Sequence, residues 1–267
     1  MTAQVVLVGG GNMGAALLGG MIAAGWAAPH ELAVVEVLAA RRAALVEQFP
    51  GVLVTDSAEN APAEGAVIAV KPGDVAAAVA AAVAAGARRV LSVAAGVSIA
   101  ALEAAAAAAT ADRVAVVRSM PNTPALVGEG AAAIAGGTAA DEHDLDWAEG
   151  ILGAVGTVVR VPEYQLDAVT GLAGSGPAYL FLVAEALVDA GVLAGLARPI
   201  AEALVTQLFV GSAALLADRG DPASLRAMVT SPGGTTAAGL RQLESHGVRA
   251  AFLDAVMAAT QRSRELG

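Results

Sequence analysis

Three glycines near the start of the chain are the first residues whose spacing suggests chemistry. Gly9, Gly11 and Gly14 form a G-x-G-x-x-G motif that follows the β-branched run QVVLV (4–8) and opens a helical stretch at Asn12 and Met13. In that context the first glycine permits a tight turn, the second lets backbone approach a pyrophosphate, and the third lets helix pack closely on strand. A phosphate placed there meets the N–H groups of a helix N-terminus. The expected ligand is a dinucleotide. Helix packing alone is the plainer alternative, since the chain carries 31 glycines.

The next β-branched run, ELAVVEV (31–37), carries Glu36 about 20 residues past the last motif glycine, where an acidic side chain binds the adenosine ribose of NAD. Such a carboxylate accepts from the ribose hydroxyls and repels a 2′-phosphate. Arg41 and Arg42 follow closely, and a guanidinium accepts that phosphate well. The cofactor is therefore NADPH or NADH, with a lean toward NAD from Glu36, and both arginines also fit an exposed helix.

Further polar groups stand where later strands should end. Val70, Lys71 and Pro72 stand at the end of AVIAV (66–70), Ser92 to Gly96 with Ala94 at the end of RVLSV (89–93), and Met120 to Pro124, with Asn122 and Thr123, after VAVVRS (114–119). Open α/β sheets bind ligands at that edge. Lys71 is the one lysine of the chain and sits in a loop, so a place beside the cofactor is favoured over a merely solvated cation.

The second half holds two more glycine motifs, Gly174-Ser175-Gly176-Pro177-Ala178-Tyr179 and Ser231-Pro232-Gly233-Gly234-Thr235-Thr236. Each precedes a helical stretch. Helix N-termini with free N–H groups and nearby hydroxyls hold carboxylates without arginine, although simple capping gives the same pattern. That matters in a chain of net charge −10, whose overall field repels anions and argues against nucleic acid. The chain has no cysteine, and its three histidines are far apart without metal spacing, so no metal site is expected.

These groups need positioning elements. Eight short apolar runs (4–8, 31–37, 52–55, 66–70, 89–93, 114–119, 131–136 and 157–161) alternate with Ala-rich helical segments such as 74–86 and 98–109, which predicts βαβ units and a parallel sheet. Beyond Pro162 only helices are expected, near 163–173, 176–190, 197–218, 222–230, 235–246 and 248–266. The boundary near 162 divides a dinucleotide-binding domain, 1–162, from a helical domain, 163–267. Hydrophobic residues make up 57% of the chain but aromatics only 3%. The uncharged first 30 residues lack the positive n-region of a signal peptide and read as strand and turn. The segments 177–190 and 199–217 are apolar nearly all round, and such helices must be buried on every side. A partner chain is expected to cover them, in a soluble protein rather than a membrane one.

GGGNMG, AVKP, VAAGVSIAAL, RSMPNTPALVGEG, DAVTGLAGSGPAY and TSPGGTTAAGLRQLESHGVRAAFLDAVMAATQRSRELG together resemble the pyrroline-5-carboxylate reductases, in order and along essentially the whole chain. The resemblance implies an α/β fold, a Rossmann-type doubly wound sheet followed by an all-helical dimerisation domain. It also implies a homodimer, in some members built into larger rings, in the cytoplasm. The implied reaction is hydride transfer from NAD(P)H to the imine carbon of 1-pyrroline-5-carboxylate, giving L-proline.

A protonated imine is already electrophilic, so proximity and orientation suffice. By matching motif, Thr236 hydrogen-bonds the ring nitrogen as donor or relay, and Ser231 with the N–H groups of Gly234 and Thr235 holds the carboxylate. Glu163, Ser175, Gly176 and Tyr179 line the substrate. Lys71, Pro72, Asn122 and Thr123 border the nicotinamide, with Val70 and Ala94 beside them. Asp56 stands at the polar position near the adenosine, and Glu36 departs from the segment typical of NADP-preferring members. Hydroxyacid dehydrogenases of similar plan need a helical-domain lysine, which is absent after Lys71. A non-catalytic nucleotide binder is disfavoured because both GSGPAY and SPGGTT are intact.

Overall fold

The computed structural model describes residues 2–266. Eight strands form one sheet: β1 (Ala3–Val8), β2 (Leu32–Val35), β3 (Leu53–Thr55), β4 (Ala63–Ile68), β5 (Arg89–Ser92), β6 (Ala115–Met120), β7 (Gly130–Gly136) and β8 (Gly156–Arg160). Their order is β3-β2-β1-β4-β5-β6-β7-β8, the doubly wound arrangement in which chain direction across the sheet reverses beside β1. Crossover helices α1 (Asn12–Ala23), α2 (Ala39–Gln48), α3 (Val75–Ala84), α4 (Ile99–Ala109) and α5 (Glu142–Gly153) cover both faces.

Alternation along β1 shows why the strand sequences read as continuous apolar runs. Val6 and Val8 enter one core with Val79, Val83 and Leu102, whereas Val5 and Leu7 enter the other with Leu17, Leu18 and Met21. A sheet buried on both faces has no polar side to display.

One pairing departs from the expected parallel sheet. β7 runs antiparallel to β6, with Arg118 opposite Ala135, while β8 is parallel to β7. The cause is the length of the connection. Residues 121–129 hold only a 3-10 turn, Thr123–Val127, and a parallel crossover needs about a dozen residues or more. β7 and β8 are joined through α5 and so regain a common direction.

After β8 the chain is helical: α6 (Leu166–Val169), a π turn (Thr170–Gly174), α7 (Gly176–Leu193), α8 (Arg198–Arg219), α9 (Pro222–Met228), α10 (Thr235–Ser245) and α11 (Val248–Leu266). The described residues divide into two compact units, one running to Ser175 and resuming at Ala258, the other 176–257. In the first, the last turns of α11 are fixed by Ser263, which donates to Asp167 Oδ1 at 2.7 Å.

The second unit exposes its apolar residues. α7 buries none of its residues and α8 only Ala201, while Phe181, Leu182, Leu204 and Leu208 each stand more than half exposed. Two helical stretches, Glu163–Leu193 and Arg198–Arg219, are long and apolar enough to cross a membrane by length and composition. Burial of these helices, expected from their composition, is thus not achieved within one copy of the chain.

Candidate active site

The C-terminal edge of the sheet gathers most of the residues singled out in the first half. Gly9 follows β1 with φ +109°, and a Cβ on it would stand 2.5 Å from the Ala69 carbonyl oxygen. A Cβ on Gly14 would stand 2.1 Å from the Gly9 carbonyl oxygen. Both contacts are with backbone, which cannot give way, so only glycine closes this turn. Gly11 faces open space and is the N-cap of α1, with no side-chain cap and no carboxylate in the first turn. The N–H groups beginning at Asn12 and Met13 are therefore left for an outside acceptor.

The neighbouring strand ends complete a rim. Glu36, just past β2, accepts from the N–H of Gly10 at 3.1 Å and from that of Leu38 at 2.9 Å. Arg41 Nε donates to the Gly10 carbonyl, and Arg42 donates to the carbonyls of Glu36 and Val37. Asp56 is exposed just past β3, beside β2. Lys71 is exposed past β4, at the start of the 3-10 turn Pro72–Asp74, while Val70 is half-buried against the core. The Ala94 methyl belongs to the core and its N–H donates to Ser92 Oγ, so only its carbonyl is left for a ligand at this edge.

Thr123 is exposed, but Asn122 is not: its amide donates to the Ala173 carbonyl at 3.0 Å and accepts from the Ala131 N–H at 2.8 Å. Asn122 thereby ties the turn after β6 to β7 and to the π turn. Glu163 is likewise committed to the protein. One oxygen accepts both the N–H of Ile99, first residue of α4, at 2.7 Å and Arg118 Nη1 at 3.0 Å. Arg118 was not among the residues singled out from sequence. Its signal is a charge inside the apolar strand β6, where a buried cation requires a partner. Ser119 and Ser92 are buried near the ends of β6 and β5 and are joined by a 2.8 Å hydrogen bond from Ser119 Oγ to the Ser92 carbonyl.

GSGPAY begins where the π turn closes, with the Ser175 N–H on the Thr170 carbonyl at 2.8 Å. Such π turns are frequent at functional sites. Gly176 then begins α7, whose first turn carries Tyr179, half-buried.

In the second unit, SPGGTT forms the start of α10. Gly234 is the N-cap, without a side-chain cap and with no acidic residue in the first turn. Just before it, Gly233 has φ +70°, a left-handed conformation that favours glycine in this turn. The Gly234 N–H already donates to the Ser231 carbonyl at 3.0 Å. The donors facing outward at this end are accordingly those of Thr235 and Thr236, with Ser231 Oγ beside them, rather than the Gly234 N–H expected from sequence. Among the described residues no cluster of His, Asp or Glu could hold a metal.

The comparisons agree with this anatomy. Residues 163–266 match the family described as pyrroline-5-carboxylate reductase dimerisation, and residues 4–96 match that described as NADP oxidoreductase coenzyme F420-dependent. A pyrroline-5-carboxylate reductase of Synechocystis is 45% identical over all of this chain and 99% of its own length. A Coxiella burnetii pyrroline-5-carboxylate reductase structure is 33% identical, with TM-score 0.91 over 100% of this chain and 99% of that one. The Plasmodium falciparum pyrroline carboxylate reductase, solved with NADP bound, is 28% identical with TM-score 0.83, covering 99% of this chain and 98% of that one. The apolar faces of α7 and α8 lie within the matched dimerisation segment, which accounts for their exposure in a single copy and makes the homodimer the assembled form. With a glycine turn for NAD(P)H at one edge of the sheet, a dimerisation domain after it and full-length relatives of one kind, the chain belongs to the pyrroline-5-carboxylate reductase family.

Proposed function

We propose that in the reduction of 1-pyrroline-5-carboxylate to L-proline the N-terminus of α1 serves the cofactor and that of α10 the substrate. The observation that carries this reading is shared by the two helices. α1 and α10 both start on a glycine N-cap that supplies no side chain, and both lack an acidic residue in the first turn. An uncapped helix N-terminus is an anion site, and the reaction has two anions to hold, a pyrophosphate and a carboxylate.

At α1 the N–H groups from Asn12 onward hold the pyrophosphate, and Gly9 and Gly14 keep the turn closed. Glu36 and Asp56 border the adenosine. Lys71 with Pro72, Thr123 and the Ala94 carbonyl border the nicotinamide, and Val70 closes the strand edge behind them. When bound, NAD(P)H supplies the hydride.

At α10 the N–H groups of Thr235 and Thr236, with Ser231 Oγ, hold the substrate carboxylate. The Thr236 hydroxyl accepts from the N–H of the protonated imine and orients the ring for hydride transfer. Ser175, Gly176 and Tyr179 complete the substrate's surroundings. Glu163, already holding Arg118 and the Ile99 N–H, acts as a positioning residue. The homodimer assembles further into a ring of dimers, and the enzyme is soluble and cytoplasmic.

The test is turnover by the full-length protein given pyrroline-5-carboxylate with NADH or NADPH. Loss of reduced cofactor with equal formation of proline is expected. A folded protein that binds dinucleotide yet makes no proline overturns the reading.

A further inference from the structure

The feature that the general reading leaves unused is the way Glu36 is held. Its two oxygens are fixed separately, Oε2 by the Gly10 N–H at 3.1 Å and Oε1 by the Leu38 N–H at 2.9 Å. The carboxylate therefore does not swing freely. It is clamped between the glycine turn and the residues following β2, where the adenosine ribose of a bound dinucleotide lies. Glu36 is half-buried, and Val37 and Leu38 beyond it are exposed, so a ligand can reach the site.

The adjacent cations do not neutralise this carboxylate through contact. Arg41 directs Nε to the Gly10 carbonyl at 2.6 Å, and Arg42 directs Nη1 to the carbonyls of Glu36 and Val37, each at 2.9 Å. Both guanidinium groups are engaged with backbone and help hold the segment in place. Each oxygen of Glu36 retains acceptor capacity beyond its one backbone donor. That suits the ribose 2′-hydroxyl. A 2′-phosphate, carrying close to two negative charges, would meet a fixed carboxylate at the same place, a repulsion that the ribose hydroxyls of NADH do not meet.

We propose that Glu36 is the selectivity residue for the cofactor and that this chain binds NADH in preference to NADPH, although one matched family is described as an NADP oxidoreductase and the Plasmodium relative was solved with NADP. The proposal rests on the reading that the first unit binds a nicotinamide dinucleotide.

Equilibrium titration of the full-length protein with each reduced cofactor, followed by calorimetry without substrate, tests it independently of turnover. The expected Kd for NADH is at least about tenfold below that for NADPH, equivalent to about 1.4 kcal/mol. In Glu36→Gln and Glu36→Ala the ratio should fall toward one, chiefly through tighter NADPH binding. Wild-type protein that binds NADPH as tightly as NADH overturns the proposal, as does an unchanged ratio in the variants. Should neither variant fold, displacement of NADH from wild type by 5′-AMP and by 2′,5′-ADP gives the same decision, with 5′-AMP expected to compete better. Failure to bind either dinucleotide overturns the functional reading along with the proposal, whereas preference for NADPH overturns the proposal alone.

Discussion

Glu163 and Arg118 form an ion pair of 3.0 Å in which the cation is the more buried partner, its side chain 11% exposed against 36% for the carboxylate. The same carboxylate oxygen takes the first N–H of α4, so one side chain joins β6, α4 and the segment after β8. Removing the carboxylate leaves a largely buried guanidinium without compensation. Glu163→Ala should cost about 1–3 kcal/mol by urea denaturation, the partial exposure of Glu163 keeping it below the range for fully buried pairs. The Glu163→Ala, Arg118→Met double variant should lose less than the two single losses combined. Strict additivity would show that the pair does not couple.

Gly14→Ala places a methyl 2.1 Å from the Gly9 carbonyl oxygen, closer than any real carbon contact. The turn must open to admit it, and with it the N–H groups at the start of α1 move. Dinucleotide affinity should fall at least about tenfold, one step of 1.4 kcal/mol, with a lowered Tm. Retention of wild-type Kd in this variant would show that the turn does not hold the cofactor.

Thr236→Ala removes the hydroxyl assigned to the ring nitrogen while leaving the α10 backbone in place. A loss of about 100-fold in kcat, the scale on which lost orientation at a reacting centre acts, is expected with the Kd for reduced cofactor unchanged. Steady-state kinetics beside a binding titration separates the two. Unaltered kcat would exclude Thr236 from the chemistry.

The exposed row on α8 includes Leu204 and Leu208, 57% and 52% exposed in a single copy. Leu208→Glu puts a charge into a face that a second copy covers, and burying an unpaired charge is costly. Light scattering at fixed concentration should show the variant shifted from dimer to monomer. An undisturbed dimer would place the interface elsewhere on the segment.

Much of this architecture is legible in the sequence, for identifiable reasons. A sheet buried on both faces is written as runs such as QVVLV and AVIAV, and its crossover helices as Ala-rich stretches between them, so β1 to β8 and the helices after Pro162 are visible before any coordinates. The turn residues Gly9 and Gly14 are legible because their steric requirement is local. The direction of β7 was missed, because apolar pattern carries no polarity; the short connection 121–129 was the available clue. Arg118 and Asn122 depend on partners distant in sequence, Glu163 for one and Ala131 and Ala173 for the other, and no local pattern announces those. The hold of Gly10 on Glu36 is of the same kind. The place of Glu36 at the end of β2 is legible, but its fixation by backbone is a product of folding.

The central claim is that a hydride passes from the nicotinamide to the imine carbon of pyrroline-5-carboxylate on this protein. Mass spectrometry of proline formed with NADH deuterated at the transferring position of the nicotinamide tests that transfer directly. The expected result is proline one mass unit heavier, with the label on the ring carbon adjacent to nitrogen and not on the carboxyl-bearing carbon. Oxidation of the labelled cofactor with no deuterium in proline would contradict it.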